Sequence, residues 1–227
     1  MSSVRTSPRP HCPVKAVVFD YGNVMISWDP AGAVSGRVPL EQWDAFVQGA
    51  GFHELNLRSD AGEEFETILA DLATTHPEHP EWPGILRTYR EHFAHSITGH
   101  VPGTLALVRE LLEAGTPLYL LSNFDVEPFA YARRLVPELA RFQGLVVSGQ
   151  ERLVKPDHRL YQVILERYRL EPATTLFIDD SPQNVEAARA VGMQALQFTG
   201  AGRLRAELTE LGLLKGPALL PPITPVD

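Results

Sequence analysis

Apolar residues along this chain fall into two alternating patterns. Short, nearly continuous apolar runs occur at Ala16–Phe19, Leu118–Leu121, Leu145–Val147, Leu176–Ile178 and Ala195–Phe198. Each is followed by a polar residue or a glycine, and runs of this length predict strands buried on both faces. Between the later runs the period changes. Leu105, Val108 and Leu112 recur at i, i+3 and i+7, which predicts a helix closed by Gly115 at a C′ position. After Ile178, Ser181 suits an N-cap, Pro182 the first helical position and Gly192 the closing glycine. Strands alternating with helices predict an α/β fold, a Rossmann-like doubly wound parallel sheet with helices on both faces.

Residues 29–100 break the alternation and read as helices only. Glu41–Val47, Glu63–Leu72 and Ile85–Phe93 carry the helical patterns, and the Pro- and His-bearing stretch His76–Pro83 interrupts them. A right-handed crossover between parallel strands needs one helix. The surplus predicts a separate helical lobe over one edge of the sheet. The expected organisation is a core built from 14–28 and 101–214, an inserted α-helical cap at 29–100, and tails at 1–13 and 215–227.

Composition narrows the function classes. The chain has 227 residues, 44% hydrophobic and 21% charged, an ordinary globular profile that can bury a core without staples. Its single cysteine, Cys12, cannot form an internal bridge, which fits a reducing compartment. No apolar run reaches the roughly 20 residues of a membrane helix. Met1–Pro13 has no apolar segment of the secretory kind and reads as a disordered lead-in, so a cytoplasmic location without membrane attachment is expected. The net charge of −8 argues against a nucleic-acid partner. It leaves room for a small phosphorylated substrate, because one lysine and one divalent cation reverse the field locally.

In parallel α/β sheets, ligands bind beyond the carboxyl ends of the strands. The first run stops at Asp20, the second at Ser122 and Asn123, and the fourth at Asp179 and Asp180, while Lys155 follows the third just before Pro156, read as opening a helix. Three carboxylates, a hydroxyl, an amide and an ammonium therefore meet on one rim. Neighbouring carboxylates repel, and a divalent cation among them lowers that cost. Mg²⁺ suits such an oxygen-rich set, with the lysine on the other side of a bound phosphate. Each feature alone has a plainer reading as a turn or a helix cap; their shared order along the strand ends is what points to chemistry.

These segments resemble the four motifs of the haloacid dehalogenase-like (HAD) hydrolase superfamily. Ala16-Val-Val-Phe-Asp20-Tyr-Gly-Asn-Val24 is similar to the first, Leu120-Leu-Ser122-Asn123 to the second, Lys155-Pro156 to the third and Leu176-Phe-Ile-Asp179-Asp180-Ser-Pro-Gln-Asn184 to the fourth. The resemblance spans about Val14 to Leu214, and the helical insertion resembles the small cap of subfamily I. It implies a Mg²⁺-dependent phosphatase with Asp20 as nucleophile. Ser122 and the neighbouring amides, Asn123 included, would bind the phosphoryl group, and Lys155 would balance the charge. The metal would be held by Asp20, the Gly22 carbonyl, Asp180 and Asp179, the last directly or through water. Asn184 would orient Lys155 or a metal ligand, and Asp125 is a candidate to activate water.

One position departs from the pattern. The phosphatase branch usually carries a second aspartate two residues after the nucleophile, as general acid and base, and Gly22 stands there. The segment Phe-Asp-Tyr-Gly-Asn-Val is similar to a branch that includes sugar-1-phosphate phosphatases with glycine at this place. Losing such an acid typically costs roughly 10²–10⁴-fold. Three other readings compete: a metal-free 2-haloacid dehalogenase, against which Asp179-Asp180 argues, a phosphomutase, against which Gly22 argues, and a phosphate-binding pseudoenzyme. Trp28 and Asp29 are placed at the site entrance, and Phe52, His53, Leu55 and Asn56 among residues that could reach substrate. His76, His79, His92 and His95 read as solvated cap histidines rather than a transition-metal site.

Overall fold

The computed structural model describes residues 13–215. In chain order, β1 (Ala16–Phe19) and β2 (Ile26–Trp28) are followed by five helices: α1 (Ala31–Val34), α2 (Leu40–Gly49), α3 (Phe52–Asp60), α4 (Phe65–Thr75) and α5 (Trp82–Glu91). Then come β3 (Ile97–His100), α6 (Thr104–Glu113), β4 (Leu118–Ser122), α7 (Val126–Ala132), β5 (Gly144–Val147) and α8 (Ser148–Glu151). The chain finishes with α9 (His158–Arg167), β6 (Thr175–Asp179), α10 (Pro182–Ala190), β7 (Gln194–Gln197) and α11 (Ala201–Glu210).

Five strands form one parallel sheet in the order β5-β4-β1-β6-β7. The four apolar residues of β1 are all buried, because this central strand is covered on both faces. Alternation then divides its side chains between two cores. Val17 and Phe19 join the cluster under α6, with Leu107, Val108 and Leu111; Val18 joins the opposite one, with Leu160, Tyr161 and Ile164 of α9. The doubly wound α/β reading is therefore what the chain adopts. Gly115 and Gly192, at φ +77° and +90°, close α6 and α10 as their spacing predicts.

The segment between β1 and β4 has its own apolar cluster, built from Trp43, Phe46, Phe52, Ile68, Leu72, Trp82 and Tyr89 among others. It is not helical throughout. Ile97–His100 pairs antiparallel with Ile26–Trp28, so a two-stranded ribbon carries the chain into and out of the helices. The strand β3 is largely exposed and includes Gly99, so it shows no apolar alternation; pairing with β2 makes it a strand.

Two helix starts also differ from expectation. Pro156 does not open a helix: α9 begins at His158, where the side chain of Asp157 accepts from the Arg159 N–H. Ser181 occupies the N-cap position of α10, but its hydroxyl makes no capping bond; its own N–H donates to Asp179 instead. The lead-in with Cys12 and the C-terminal stretch beyond Lys215 lie outside the described residues. Among the described residues no helix is long and apolar enough to cross a membrane.

Candidate active site

The carboxyl ends of β1, β4 and β6 bring the predicted residues together. Asp20 follows β1, Ser122 ends β4 and Asp179 ends β6. Lys155 reaches between them: its Nζ donates to Asp20 Oδ1 at 2.7 Å and to Asp179 Oδ2 at 2.6 Å. The lysine is 2% exposed, Asp20 7% and Asp179 0%. Asp20, Asp179 and Asp180 can direct one oxygen each to a common point, the three atoms lying within 4.8 Å of one another.

Three carboxylates around one ammonium leave excess negative charge in a dry place. Burial pushes Asp20 up to about 7, against the pull of Lys155, and Asp179 and Asp180 add to the rise. Asp180 is raised for the same reason, burial first and Asp179 second. Burial alone would lower Lys155, but Asp179 and Asp20 outweigh it and hold the ammonium charged. A hard divalent cation beside the three oxygens would relieve the imbalance, and the donor set suits one.

The surrounding groups fix these side chains. Asn184 Nδ2 donates to both oxygens of Asp179, at 3.0 and 3.1 Å, so it orients that carboxylate rather than Lys155. With Lys155, Asn184 and the Ser181 N–H all on it, Asp179 is saturated with donors. Asn123 clamps the backbone of Lys155, donating to its carbonyl at 3.0 Å and accepting from its N–H at 2.7 Å. Its side chain therefore acts on the site through the lysine. Ser122 is 1% exposed and lines the cavity, and no described residue is hydrogen-bonded to its hydroxyl, so its donor is available. Asn23 was not singled out in the sequence. At φ +53° it lies in the loop after Asp20, accepts from the Trp28 N–H at 3.2 Å and helps hold the Asp180 carboxyl down against its burial.

A cavity of about 150 Å³ opens above this rim, with walls from the helical segment. Ile26, Leu55, Phe65, Leu86, Phe93 and Phe124 supply apolar surface, and Trp28 lines it too. Leu55 and Asn56 reach the cavity as expected. Phe52 does not; it is fully buried in the cluster of the helical segment. His53 is exposed against Trp28 and Phe52, and Asp29 accepts from the Ala31 N–H. His79 stacks on Trp82 at 3.9 Å and His92 lies 6.0 Å from His95; none of the four histidines joins a metal-type cluster among the described residues.

Asp125 is not free to activate water. Its carboxylate caps α7, accepts from Ser59 Oγ at 2.5 Å and pairs with Arg90 of α5, which also reaches Glu127 at 2.8 Å. This network ties the helical segment to the end of β4. The ends of the ion pair are about one-sixth exposed, so screening is partial. Asp125→Ala should cost about 1–3 kcal/mol, because it strands the Arg90 and Ser59 donors. Urea denaturation measures it, and an unchanged midpoint would show that the network contributes no net stability.

The chain belongs to the haloacid dehalogenase-like hydrolase family, whose model matches residues 14–192. It is similar to a sesquiterpene phosphatase of Aspergillus oryzae, 29% identical over 87% of this chain and 96% of the relative. It is similar also to a D-ribitol-5-phosphate phosphatase of Bacteroides thetaiotaomicron, 25% identical over 86% and 97%. Among solved structures, a family enzyme of Bacteroides thetaiotaomicron in complex with magnesium and inorganic phosphate shares the fold. Its TM-score is 0.60 at 18% identity, covering 82% of this chain and 95% of that one.

Proposed function

We propose that this hydrolase is a Mg²⁺-dependent phosphomonoesterase whose substrate is the phosphate ester of a small, predominantly apolar alcohol. The observation that carries the chemistry is the buried Asp20–Lys155–Asp179 pairing beside Asp180. Asp20 attacks phosphorus and forms an aspartyl-phosphate, which water then hydrolyses. Lys155 holds the nucleophile and offers positive charge to the phosphoryl oxygens. The Ser122 hydroxyl and the backbone N–H of Asn123 bind those oxygens. Asp20, the Gly22 carbonyl and Asp180 would hold Mg²⁺, which supplies charge neutralisation to nucleophile and phosphate. Asp179, already saturated by Lys155, Asn184 and the Ser181 N–H, positions the lysine and meets the cation at most through water. The sugar phosphates expected of this branch and the apolar esters differ in the leaving group alone.

The cavity favours the apolar leaving group. Its walls are largely hydrocarbon, and its polar side chains are already matched to each other: Asn56 donates to Asp60 and accepts from Tyr89, and Arg90 is held by Asp125 and Glu127. A polyol would bring hydroxyls that find few free partners, at a cost for each one buried unpaired. A cavity near 150 Å³ holds a guest of about benzene size when its walls are apolar. The similarity to a sesquiterpene phosphatase supports the same reading.

The test is a series of linear alkyl phosphates and sugar phosphates, assayed with Mg²⁺ and with EDTA. Each methylene buried contributes about 0.8 kcal/mol, so kcat/KM should rise roughly fourfold per carbon until the cavity is full. Sugar phosphates should lie well below the best alkyl ester, and EDTA should remove turnover of all of them. A ranking led by sugar phosphates would overturn the substrate reading alone. Halide release from a 2-haloacid in EDTA, without ester hydrolysis, would replace the chemistry itself by dehalogenation.

A further inference from the structure

Gly22 leaves a gap in the chemistry. An alkoxide leaving group needs a proton as the P–O bond breaks, and the position two residues after Asp20 has no side chain to give one. The gap is also physical: a Cβ placed on Gly22 would meet no atom within 4 Å. The donor has to come from elsewhere on the cavity wall.

In-line displacement sets where it must stand. Attacking and leaving oxygens lie on opposite sides of phosphorus, so with Asp20 below on the sheet rim, the leaving oxygen points up toward the helical segment. One ionisable carboxyl of that segment lines the cavity: Asp60, the last residue of α3. It is firmly placed. Its carbonyl accepts from Ser148 Oγ at 2.6 Å, and its carboxyl accepts from Asn56 Nδ2 at 3.1 Å. Two residues after it, Gly62 sits at φ +75° against the carbonyl of Gly149, so close that a Cβ there would stand 2.6 Å from that oxygen. The turn after α3 is thus seated on the core, beside the loop that follows Ser122 and Asn123.

We propose that Asp60 is the proton donor that this active site uses in place of the carboxylate absent at position 22. The inference rests on the phosphatase reading above. In the first step an Asp20 oxygen bonds to phosphorus, the P–O bond to the alcohol breaks, and the alcohol oxygen takes the proton of the Asp60 carboxyl. In the second, the Asp60 carboxylate takes a proton from the water that attacks the aspartyl-phosphate. Phosphate leaves, Asp20 regains its electron pair and Asp60 is again protonated.

The surroundings suit a residue that must hold a proton near neutrality. Burial pushes Asp60 up to about 7. The charges facing it are Asp125 beyond β4 and Asp20 on the nucleophile loop, which raise it, and Arg90 of α5, which lowers it; the phenol of Tyr89 also faces it and is itself driven up, mainly by burial. The acid form is present below that value and is lost as pH climbs through it.

The experiment compares hexyl phosphate, a poor leaving group, with p-nitrophenyl phosphate, a good one, from pH 5 to 9. The enzymes are wild type, Asp60→Asn, and Asp60→Asn combined with Gly22→Asp. In kcat/KM, which reports the transfer to Asp20 and not the shared hydrolysis of the aspartyl-phosphate, Asp60→Asn should lose about 10²–10³-fold on hexyl phosphate and less than tenfold on the nitrophenyl ester. The fall in wild-type hexyl phosphate turnover above pH 7 should vanish with it. Gly22→Asp, whose Cβ would meet no atom within 4 Å, should restore hexyl phosphate hydrolysis in the double variant. Inhibition by inorganic phosphate should be unchanged in Asp60→Asn, which separates lost chemistry from a collapsed site. Equal losses in kcat/KM on both esters, or no rescue, would overturn the role of Asp60 while leaving the phosphatase reading intact. A wild type inactive on both esters would overturn that reading and this one together.

Discussion

Asp20→Asn is expected to lose ester hydrolysis by about 10⁴-fold or more, as when the covalent nucleophile of a hydrolase is removed, and to leave the protein at least as stable as the wild type. The two halves of this expectation come from one site. Asparagine is nearly isosteric, and its Oδ1 can still accept from Lys155, so the geometry survives. What disappears is the nucleophilic electron pair and one negative charge. That charge sits where burial, Asp179 and Asp180 already drive it toward protonation, so its removal relieves repulsion. Lys155 keeps Asp179 as its partner at 2.6 Å. Metal-free thermal unfolding beside steady-state hydrolysis of p-nitrophenyl phosphate measures both. Inactivity together with a lower Tm would mean that Asp20 serves chiefly as half of a structural ion pair.

Most of the rim was readable from the chain because each of its residues stands directly after a fully apolar strand. Asp20, Ser122 and Asp179 are placed by strands whose burial leaves no other choice of register, and Lys155 is the buried cation that their charges require. The partners that hold them are a different matter. Asn123 on the backbone of Lys155, or Asn184 on Asp179, looks like any turn or helix amide until the loops are packed. Asn23 carried the clearest missed signal, a residue able to adopt positive φ next to glycine in the nucleophile loop. Asp60 and Arg90 were out of reach altogether. They come from helices whose own pattern says only which face is apolar, and their contacts with Asp125 and Ser148 span 35 to 88 positions of chain. The strand Ile97–His100 was missed for the same reason: its partner, not its composition, defines it.

The reverse substitution separates charge from packing. Lys155→Met removes the only cation from between two buried carboxylates, 2.7 and 2.6 Å away. Breaking a buried pair by deleting one partner costs about 3–5 kcal/mol, and losing a charge aimed at the reacting phosphate should lower kcat by about 10²–10³-fold. The stability loss must depend on pH. Without the ammonium, Asp20 loses its main opposing charge and rises above the value of about 7 it already has. Its unfolded value stays near the ordinary 3.8, so the folded state binds more protons across the interval between. Stability is then highest below the unfolded value and falls as pH rises through the interval. The deficit against wild type should be small at pH 5 and largest near pH 8. Mg²⁺ should reverse part of it at pH 8, because a cation at the three carboxylates takes over some of the neutralisation, and should raise the Tm of the variant more than that of the wild type. A deficit equal at both pH values and blind to Mg²⁺ would mean that methionine simply packs badly in the lysine channel, and the electrostatic account of this site would fail.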